Sequence, residues 1–358
     1  MADSGASQTR VTQTDVARAA GVSRSVVSFV LNGRKDQRIA QETATHVLAI
    51  AEQLGYRPNK VANTLRSGKS GTIAFVSDFV TTTNKANGMI KGALAAARAH
   101  NTLMITAETL GQENSQELLL NELLDHQVDG IIYAAMFTRE VTVPQVLSNI
   151  PHVLLNCLDS SSEAESFVIP DEYRAGQDAA RLLLDTGHTD SIYFIGTFPG
   201  KRKDNSVWPH MPSIALPQRL AGISDSLKTC GYELADCIDV EGDWIAESGY
   251  KAIQQILKKH HPSALICAND DIAFGAYQAA AENGLRIPED LSIVSFDGSS
   301  LSRALRPQLT SLALPHEEMG IKAANYLLQE HNKSEESLHE YLPMPIIAGN
   351  SIGQPNAK

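Results

Sequence analysis

From Gly71 onward the chain alternates two textures. Short apolar runs, at Thr72–Val76, Leu103–Thr106, Gly130–Tyr133, His152–Leu155, Ser191–Ile195, Ala264–Cys267, Leu291–Ser295 and Leu309–Leu312, are separated by stretches with helical patterning. The short apolar runs read as strands, and the stretches between them as helices. Strand, helix, strand alternation predicts doubly wound parallel sheets that bind ligands at the carboxyl ends of their strands. The length accommodates two such halves, so a two-lobed α/β core with a cleft between the lobes is expected.

The first seventy residues read differently. In Thr14 to Gly21 a Thr stands where an N-cap belongs, Asp15 complements the helix dipole, and Gly21 supplies the C-terminal break. Ser23 is placed to cap a second helix running to about Asn32, with Val27, Val30 and Leu31 facing inward and Arg24, Ser25, Ser28 and Phe29 outward. Two helices joined by a tight Gly-containing turn read as helix-turn-helix, whose second helix enters the major groove by its N-terminal end. A third helix, about Ala40 to Leu54, brings Val47, Ile50, Ala51 and Leu54 at helical spacing to close a small core.

Charge sharpens this division. The 358 residues carry −11 overall, which argues against nucleic acid until the charges are placed. Residues 10–69 hold ten Lys/Arg against four Asp/Glu, a net of +6 that leaves −17 to the rest. A basic head on an acidic body suits a protein that meets phosphate at one end and resists non-specific sticking elsewhere.

Other classes lack support. No stretch reaches the roughly 18 consecutive apolar residues of a membrane span, and Met1 to Arg10 lacks an apolar signal-peptide core, so a cytoplasmic protein with no membrane partner is expected. Cys157, Cys230, Cys237 and Cys267 are scattered without metal-ligand spacing, and the expectation is four reduced, mostly buried thiols and no metal. His260 and His261 are adjacent and would point about 100° apart on a helix, so they cannot share a face. With no Gly-x-Ser-x-Gly, no phosphate-cradling Gly-x-x-x-x-Gly-Lys and no nucleophile–base pair, neither an enzyme nor a cofactor is expected.

The segments Val11-Thr12, Asp15 to Ser23, Val27-Ser28, Leu31-Asn32-Gly33 and Leu54-Gly55-Tyr56-Arg57-Pro58-Asn59 closely resemble the lactose repressor and galactose repressor family of transcriptional regulators. The resemblance covers nearly the whole chain. It implies a disordered tail at 1–9, a helix-turn-helix domain at 10–58, a hinge helix and linker at 59–70, and an effector-binding core at 71–358. That core looks like a periplasmic sugar-binding protein, with an N-lobe at about 71–167 and 299–325 and a C-lobe at about 168–298 and 326–358.

By the same resemblance Arg24 and Ser25 occupy base-reading positions, with Ser23 beside them, while Thr12, Ser28, Asn32, Thr43, Tyr56 and Asn59 occupy phosphate-positioning ones. Ala62 to Gly68 resembles the family's hinge helix, two of which pair in the minor groove while a Leu from each wedges into the central base step. Leu65 holds that position, and a core role suits it poorly because Lys60, Asn63, Arg66 and Lys69 leave little apolar face. Two positions depart from the family: Asn63 stands where the hinge usually has Arg, and Phe29 where a base-contacting Arg is common. Phe29 either contacts a thymine methyl or packs into the head; it cannot make the bidentate bond of Arg to guanine, so a different operator is expected.

In the core the resemblance assigns effector contact to Thr82, Asn156, Arg219, Trp244, Asn269 and Asp297. Paired polar groups suit vicinal hydroxyls, and the Trp face suits a sugar's CH surface. Each has a structural alternative: Asp270 as a helix cap, Trp244 as lobe packing, and Arg219 with Asp297 as a structural pair. For Asp270 we expect the cap, and for Arg219 and Asp297 the ligand. Leu314 in place of Gln, Asn156 in place of Asp, and Thr81 to Asn84 in place of an aromatic-bearing loop mean that a standard hexose pocket is not implied. The loop 197–218, with Lys201, Arg202, Lys203 and His210, reads as a phosphate site or a solvated loop.

The expected function is a sequence-specific regulator, with repression the expected direction, acting as a homodimer on a near-palindromic double-stranded operator. A small polar effector, such as a sugar, polyol, nucleoside or phosphorylated derivative, controls it. The tail after Pro345 has no leucine heptad, so no coiled-coil tetramer is expected.

Overall fold

The computed structural model describes residues 11–31, 39–57, 64, 68–197, 213–240, 243–329 and 337–356. The tail at 1–9, Asn32, Asn59, Asn63, Leu65 and the basic residues 201–203 and 210 lie outside the described residues. The chain divides after residue 70 into two compact units.

The first unit has three described helices, α1 (Gln13–Ala20), α2 (Arg24–Leu31) and α3 (Gln41–Gln53). The helix α1 starts earlier than the sequence suggests. Thr12, not Thr14, is its N-cap: the Thr12 side chain accepts from the Asp15 N–H, and the Asp15 carboxylate accepts from the Thr12 N–H at 2.9 Å, a capping box. Gly21 ends it at φ 64°. At the start of α2 the Ser23 hydroxyl accepts from the Val26 N–H. Val16, Ala17, Ala20, Val27, Val47 and Ala51 form the core, with Val30, Leu31, Ile50 and Tyr56 against it. Leu54 is exposed instead of closing this core, because α3 ends at Gln53 and the chain turns away through Gly55 at φ 64°.

The second unit holds two six-stranded sheets. The first has the order β11-β5-β4-β3-β1-β2 and the second β12-β10-β9-β8-β6-β7. The strands are β1 (Thr72–Ser77), β2 (Leu103–Glu108), β3 (Ile131–Glu140), β4 (His152–Leu158), β5 (Phe167–Pro170), β6 (Ile192–Thr197), β7 (Asp236–Asp239), β8 (Ala264–Cys267), β9 (Ser292–Asp297), β10 (Thr310–Ala313), β11 (His339–Leu342) and β12 (Ile346–Ile347). All pairings are parallel except β10 with β12. The helices α4 (Asn87–Ala99), α5 (Glu113–Asp125) and α11 (His316–Leu328) accompany the first sheet, and α6 (Glu172–Asp185), α7 (Ala215–Thr229), α8 (Ala246–Leu257), α9 (Asp270–Glu282) and α10 (Ser300–Ala304) the second.

The division into lobes differs from the expected boundaries. Segment 299–313, with α10 and β10, belongs to the second lobe, whereas all of α11 and β11 belong to the first. The chain therefore crosses between lobes at 170–172, 313–316 and 342–346. The reason is pairing: β10 lies parallel to β9, and β11 parallel to β5, and these nonlocal ladders decide lobe membership.

Helix pairs on both lobes touch backbone to backbone. A Cβ on Gly92 would lie 1.9 Å from the Glu317 carbonyl oxygen, and one on Gly320 would lie 2.0 Å from that of Met89, so α4 and α11 meet through reciprocal glycines. The α6–α7 and α8–α9 pairs repeat the device. Of the four free cysteines, Cys157 and Cys267 are buried, with burial pushing the Cys157 thiol up to about 12, while Cys230 and Cys237 are exposed, against the expectation of mostly buried thiols.

Candidate nucleic-acid interface and effector cleft

In the head, Ser23, Arg24 and Ser25 are exposed around the start of α2, and Thr12 is exposed at the start of α1. Ser28 and Phe29 are half-buried one turn further on, as are Thr43 in the first turn of α3 and Tyr56 after it. Two helix N-termini and an arginine thus share this small unit, and N-terminal N–H groups with a guanidinium are a phosphate-binding chemistry. The Tyr56 ring also packs against the head core.

In the core, polar groups gather at the carboxyl ends of strands from both sheets. Three non-glycine residues there hold a left-handed backbone: Phe137 in β3 (φ 65°), Asn156 in β4 (φ 58°) and Asp297 at the end of β9 (φ 99°). Such conformations are costly for L-residues and persist where surrounding structure over-determines them, commonly at ligand clamps.

Arg219, on α7, is buried. Its Nε and Nη2 donate to the two carboxylate oxygens of Glu172, the latter at 3.1 Å, and Nη1 donates to the Ala268 carbonyl at 2.9 Å. The guanidinium lies 4.4 Å from the centre of the Phe296 ring. Burial alone would lower the Arg219 pKa, but the Glu172 charge and hydrogen bonds raise it above the ordinary value, so the group is a fixed cation. The structural partner of Arg219 is therefore Glu172, in the first turn of α6, and not Asp297. Each Nη nitrogen keeps a second N–H for another acceptor.

Asn156 is also committed. Its Oδ1 accepts from the Thr138 hydroxyl at 2.8 Å, and its Nδ2 donates to the Ala135 carbonyl at 2.9 Å. Thr138 in turn reaches Glu172 at 3.4 Å, so one polar chain runs from β4 through β3 to α6 and Arg219 and joins the two lobes. Nearby, Asp78 accepts from the Met136 N–H and from Arg139 Nη2 at 2.7 Å, and Arg139 Nε is buried with no partner among the described residues.

Asn269, not Asp270, caps α9: its Oδ1 accepts from the Ile272 N–H at 2.8 Å while its Nδ2 donates to the Trp244 carbonyl. The helix begins one residue earlier than expected, which turns Asp270 inward. There its carboxylate accepts from the Ser295, Ser299 and Ser311 hydroxyls and the Ser299 N–H, tying the β9–α10 turn to β10. Trp244 donates from Nε1 to the Gly196 carbonyl at 2.8 Å, and its ring meets Phe137 of the opposite lobe edge-on, centroids 6.3 Å apart.

Asp297 stays partly open, and among the described residues no hydrogen bond engages its carboxyl. Burial, then the Asp270 charge, push this carboxyl up to about 7, against the pull of Arg219 and Lys85. It can therefore offer a ligand hydroxyl either an acceptor or a donor near neutral pH. Thr82 stands apart: it is exposed, and its hydroxyl bonds the Phe79 carbonyl and Glu108, a carboxylate that also takes Ser77 and Thr81. No described contact joins Thr82 to the other five effector candidates.

Sequence reasoning missed Glu172, Phe137, Asp78 and Arg139, each of which matters only through a partner distant in sequence. His316, at the middle crossover, was also missed; burial pushes its pKa down to about 4, with the Lys85 carbonyl opposing and Arg219 adding to the fall. It is neutral at pH 7.

Comparison with known proteins places both units. A family described as "Bacterial regulatory proteins, lacI family" matches residues 12–59, and a "Periplasmic binding protein-like domain" matches residues 180–352. Catabolite control protein A of Priestia megaterium is 32% identical over 90% of this chain and 93% of its own length. The HTH-type transcriptional repressor PurR of Klebsiella pneumoniae (strain 342) is 30% identical over 90% and 91% respectively. Among solved structures, the lac repressor dimer bound to operator and the anti-inducer ONPF is similar in fold, with a TM-score of 0.75, 24% identity, and coverage of 96% of this chain and 99% of that one.

Proposed function

This chain belongs to the lacI family of bacterial regulatory proteins, and from that premise we infer how its two units divide the work. It is a DNA-binding transcriptional regulator whose hold on its operator is controlled by a small polar effector. The observation that carries the reading is the head itself: α1, a Gly21 turn and α2, with Ser23, Arg24 and Ser25 exposed where α2 begins. A recognition helix presents those positions to base edges, and the net +6 of residues 10–69 supplies the salt-dependent, sequence-independent share of binding.

In this reading Arg24 and Ser25 read bases, and Thr12, Ser28, Thr43 and Tyr56, with Asn32 and Asn59, position the head on phosphates. The half-burial of Phe29 supports a packing role at least as well as a thymine contact. Two heads of a homodimer engage the half-sites of a near-palindrome, the usual way to double the few base contacts of one head. The protein acts in the cytoplasm, where its DNA is, and performs no catalysis; among the described residues no helix is long and apolar enough to cross a membrane.

Effector binding falls to Asp297, to the two remaining N–H groups of Arg219 and to the face of Trp244. Asn156 and Asn269 hold the walls of that cleft through the bonds described above, and the placement of Thr82 supports a role in the first loop more than direct contact. Closure of the cleft then shifts the first lobes and with them the hinge segments that meet DNA. Reciprocity requires the operator to change effector affinity by the same factor.

A substitution in the hinge tests the DNA half of this reading. Leu65→Ala is expected to lower operator affinity by at least ten-fold while leaving affinity for random duplex within about two-fold, because a wedge acts through bending and the head's charges remain. Fluorescence anisotropy on both duplexes at one salt concentration measures this. An equal loss on both would remove the wedge from the account.

A further inference from the structure

The two lobes are joined on one side by three chain crossovers, at 170–172, 313–316 and 342–346. Among the described residues they also share, besides the Thr138–Glu172 hydrogen bond and the Phe137–Trp244 ring contact, one ion pair. Lys85 closes the β1–α4 loop of the first lobe and Asp271 stands in the first turn of α9 in the second, and their ammonium and carboxylate are in direct contact. Among the described residues no other ion pair has one member in each lobe: Arg139–Asp78, Lys91–Glu317 and Lys322–Glu340 lie within the first, and Arg219–Glu172 within the second.

Both ends of this contact are anchored to groups the effector reading uses. Asp271 follows Asn269, the α9 cap, and Asp270, the acceptor for three serines around the β9–α10 turn. Lys85 is held at the crossover, where the His316 ring meets its backbone carbonyl and the His316 Cβ lies where a side chain on Gly88 would be. The Lys85 charge is also felt at Asp297, as is that of Asp271. A ligand that engages Asp297 therefore enters the field of both members of the pair.

We propose that the Lys85–Asp271 pair is a cross-cleft latch that biases the unliganded core toward its closed arrangement and so sets operator affinity in the absence of effector. This rests on the regulator reading above. Both side chains are partly exposed, so the pair adds little to global stability. Its leverage lies elsewhere. Two arrangements separated by a small gap change population several-fold for a contribution of this size, provided only one of them makes the contact. The pair thus favours, without effector, the same closure that an effector drives.

The test uses the full-length protein and four forms: wild type, Lys85→Met, Asp271→Asn and the double variant. Without effector, each single variant is expected to shift operator affinity in the same direction by about two- to five-fold, and the double variant no further than either single one. Amide hydrogen exchange in the first turns of α4 and α9 is expected to quicken equally in all three variants. Additive effects in the double variant, or single variants that match wild type in both measurements, would overturn the latch. If wild type bound no operator at all, the regulator reading would fail instead, and the exchange measurement would still decide whether the pair holds the lobes together.

Discussion

Replacing Arg219 with Ala is expected to cost the core about 3–5 kcal/mol, because it strands the buried Glu172 carboxylate without the fork that neutralises it. At a few degrees per kcal/mol for a domain of this size, the melting temperature should fall by roughly 10 °C. The loss belongs to folding before it belongs to binding. A double variant, Arg219→Met with Glu172→Met, should recover most of the stability, since two apolar chains of similar length remove the charge together with its partner. Thermal denaturation followed by circular dichroism on the three proteins decides it. If Arg219→Ala melts within about 2 °C of wild type, the pair is not the structural centre of this lobe. A loss of effector response in that variant could therefore not by itself assign Arg219 to the ligand.

Asp297→Asn is expected to behave in the opposite way, gaining stability as it loses the effector response. In the fold the carboxyl is pushed up to about 7 from an ordinary value near 3.8, so between those values the folded chain holds a proton that the unfolded chain has released. Unfolding then releases that proton, and stability falls as pH rises through this window. Above about pH 7 the buried charge is unfavourable in full; below about pH 4 the effect vanishes. Asparagine removes the charge at every pH. The variant should match wild type near pH 4 and exceed it at pH 8, by about 1–2 kcal/mol after allowance for the partly open side chain. Urea titrations at both pH values measure this difference. Equal stability of the two proteins at pH 8 would mean that the Asp297 charge is solvated or paired there. The effector response should weaken by about ten-fold or more, as for a ligand hydroxyl left without its partner.

These two residues also show what the sequence could and could not disclose. Seven of the eight apolar runs lie in the interior strands β1, β3, β4, β6 and β8–β10, where burial on both faces leaves an unbroken local signal; the eighth lies in the edge strand β2. Two other edge strands, β7 (Asp-Cys-Ile-Asp) and β11 (His-Glu-Tyr-Leu), are half polar and four residues long and were not among the runs, and neither was the short interior strand β5. Lobe membership of β10 and β11 depended on which distant strand each joins, which no local pattern encodes.

At the site, residue types were legible and pairings were not. Arg219 invited a partner, but Glu172 lies 47 residues away and carries no mark distinguishing it from a solvated helix-start carboxylate. A single-residue shift in where α9 begins exchanged the roles of Asn269 and Asp270, making the first a cap and the second a buried acceptor. The shift of α1 from Thr14 to Thr12 is the same kind of error, and there the signal was present: Thr12 and Asp15 have the spacing of a capping box.

Selection from a pool of random-sequence duplexes by the full-length protein, followed by sequencing, decides whether this chain reads a DNA sequence, because it presupposes neither target nor effector. Near-palindromic sites with two half-sites should be enriched, bound at least about a thousand-fold more tightly than scrambled duplex at physiological salt. Enrichment of no shared sequence, or binding that salt abolishes equally for every duplex, would contradict the regulator reading.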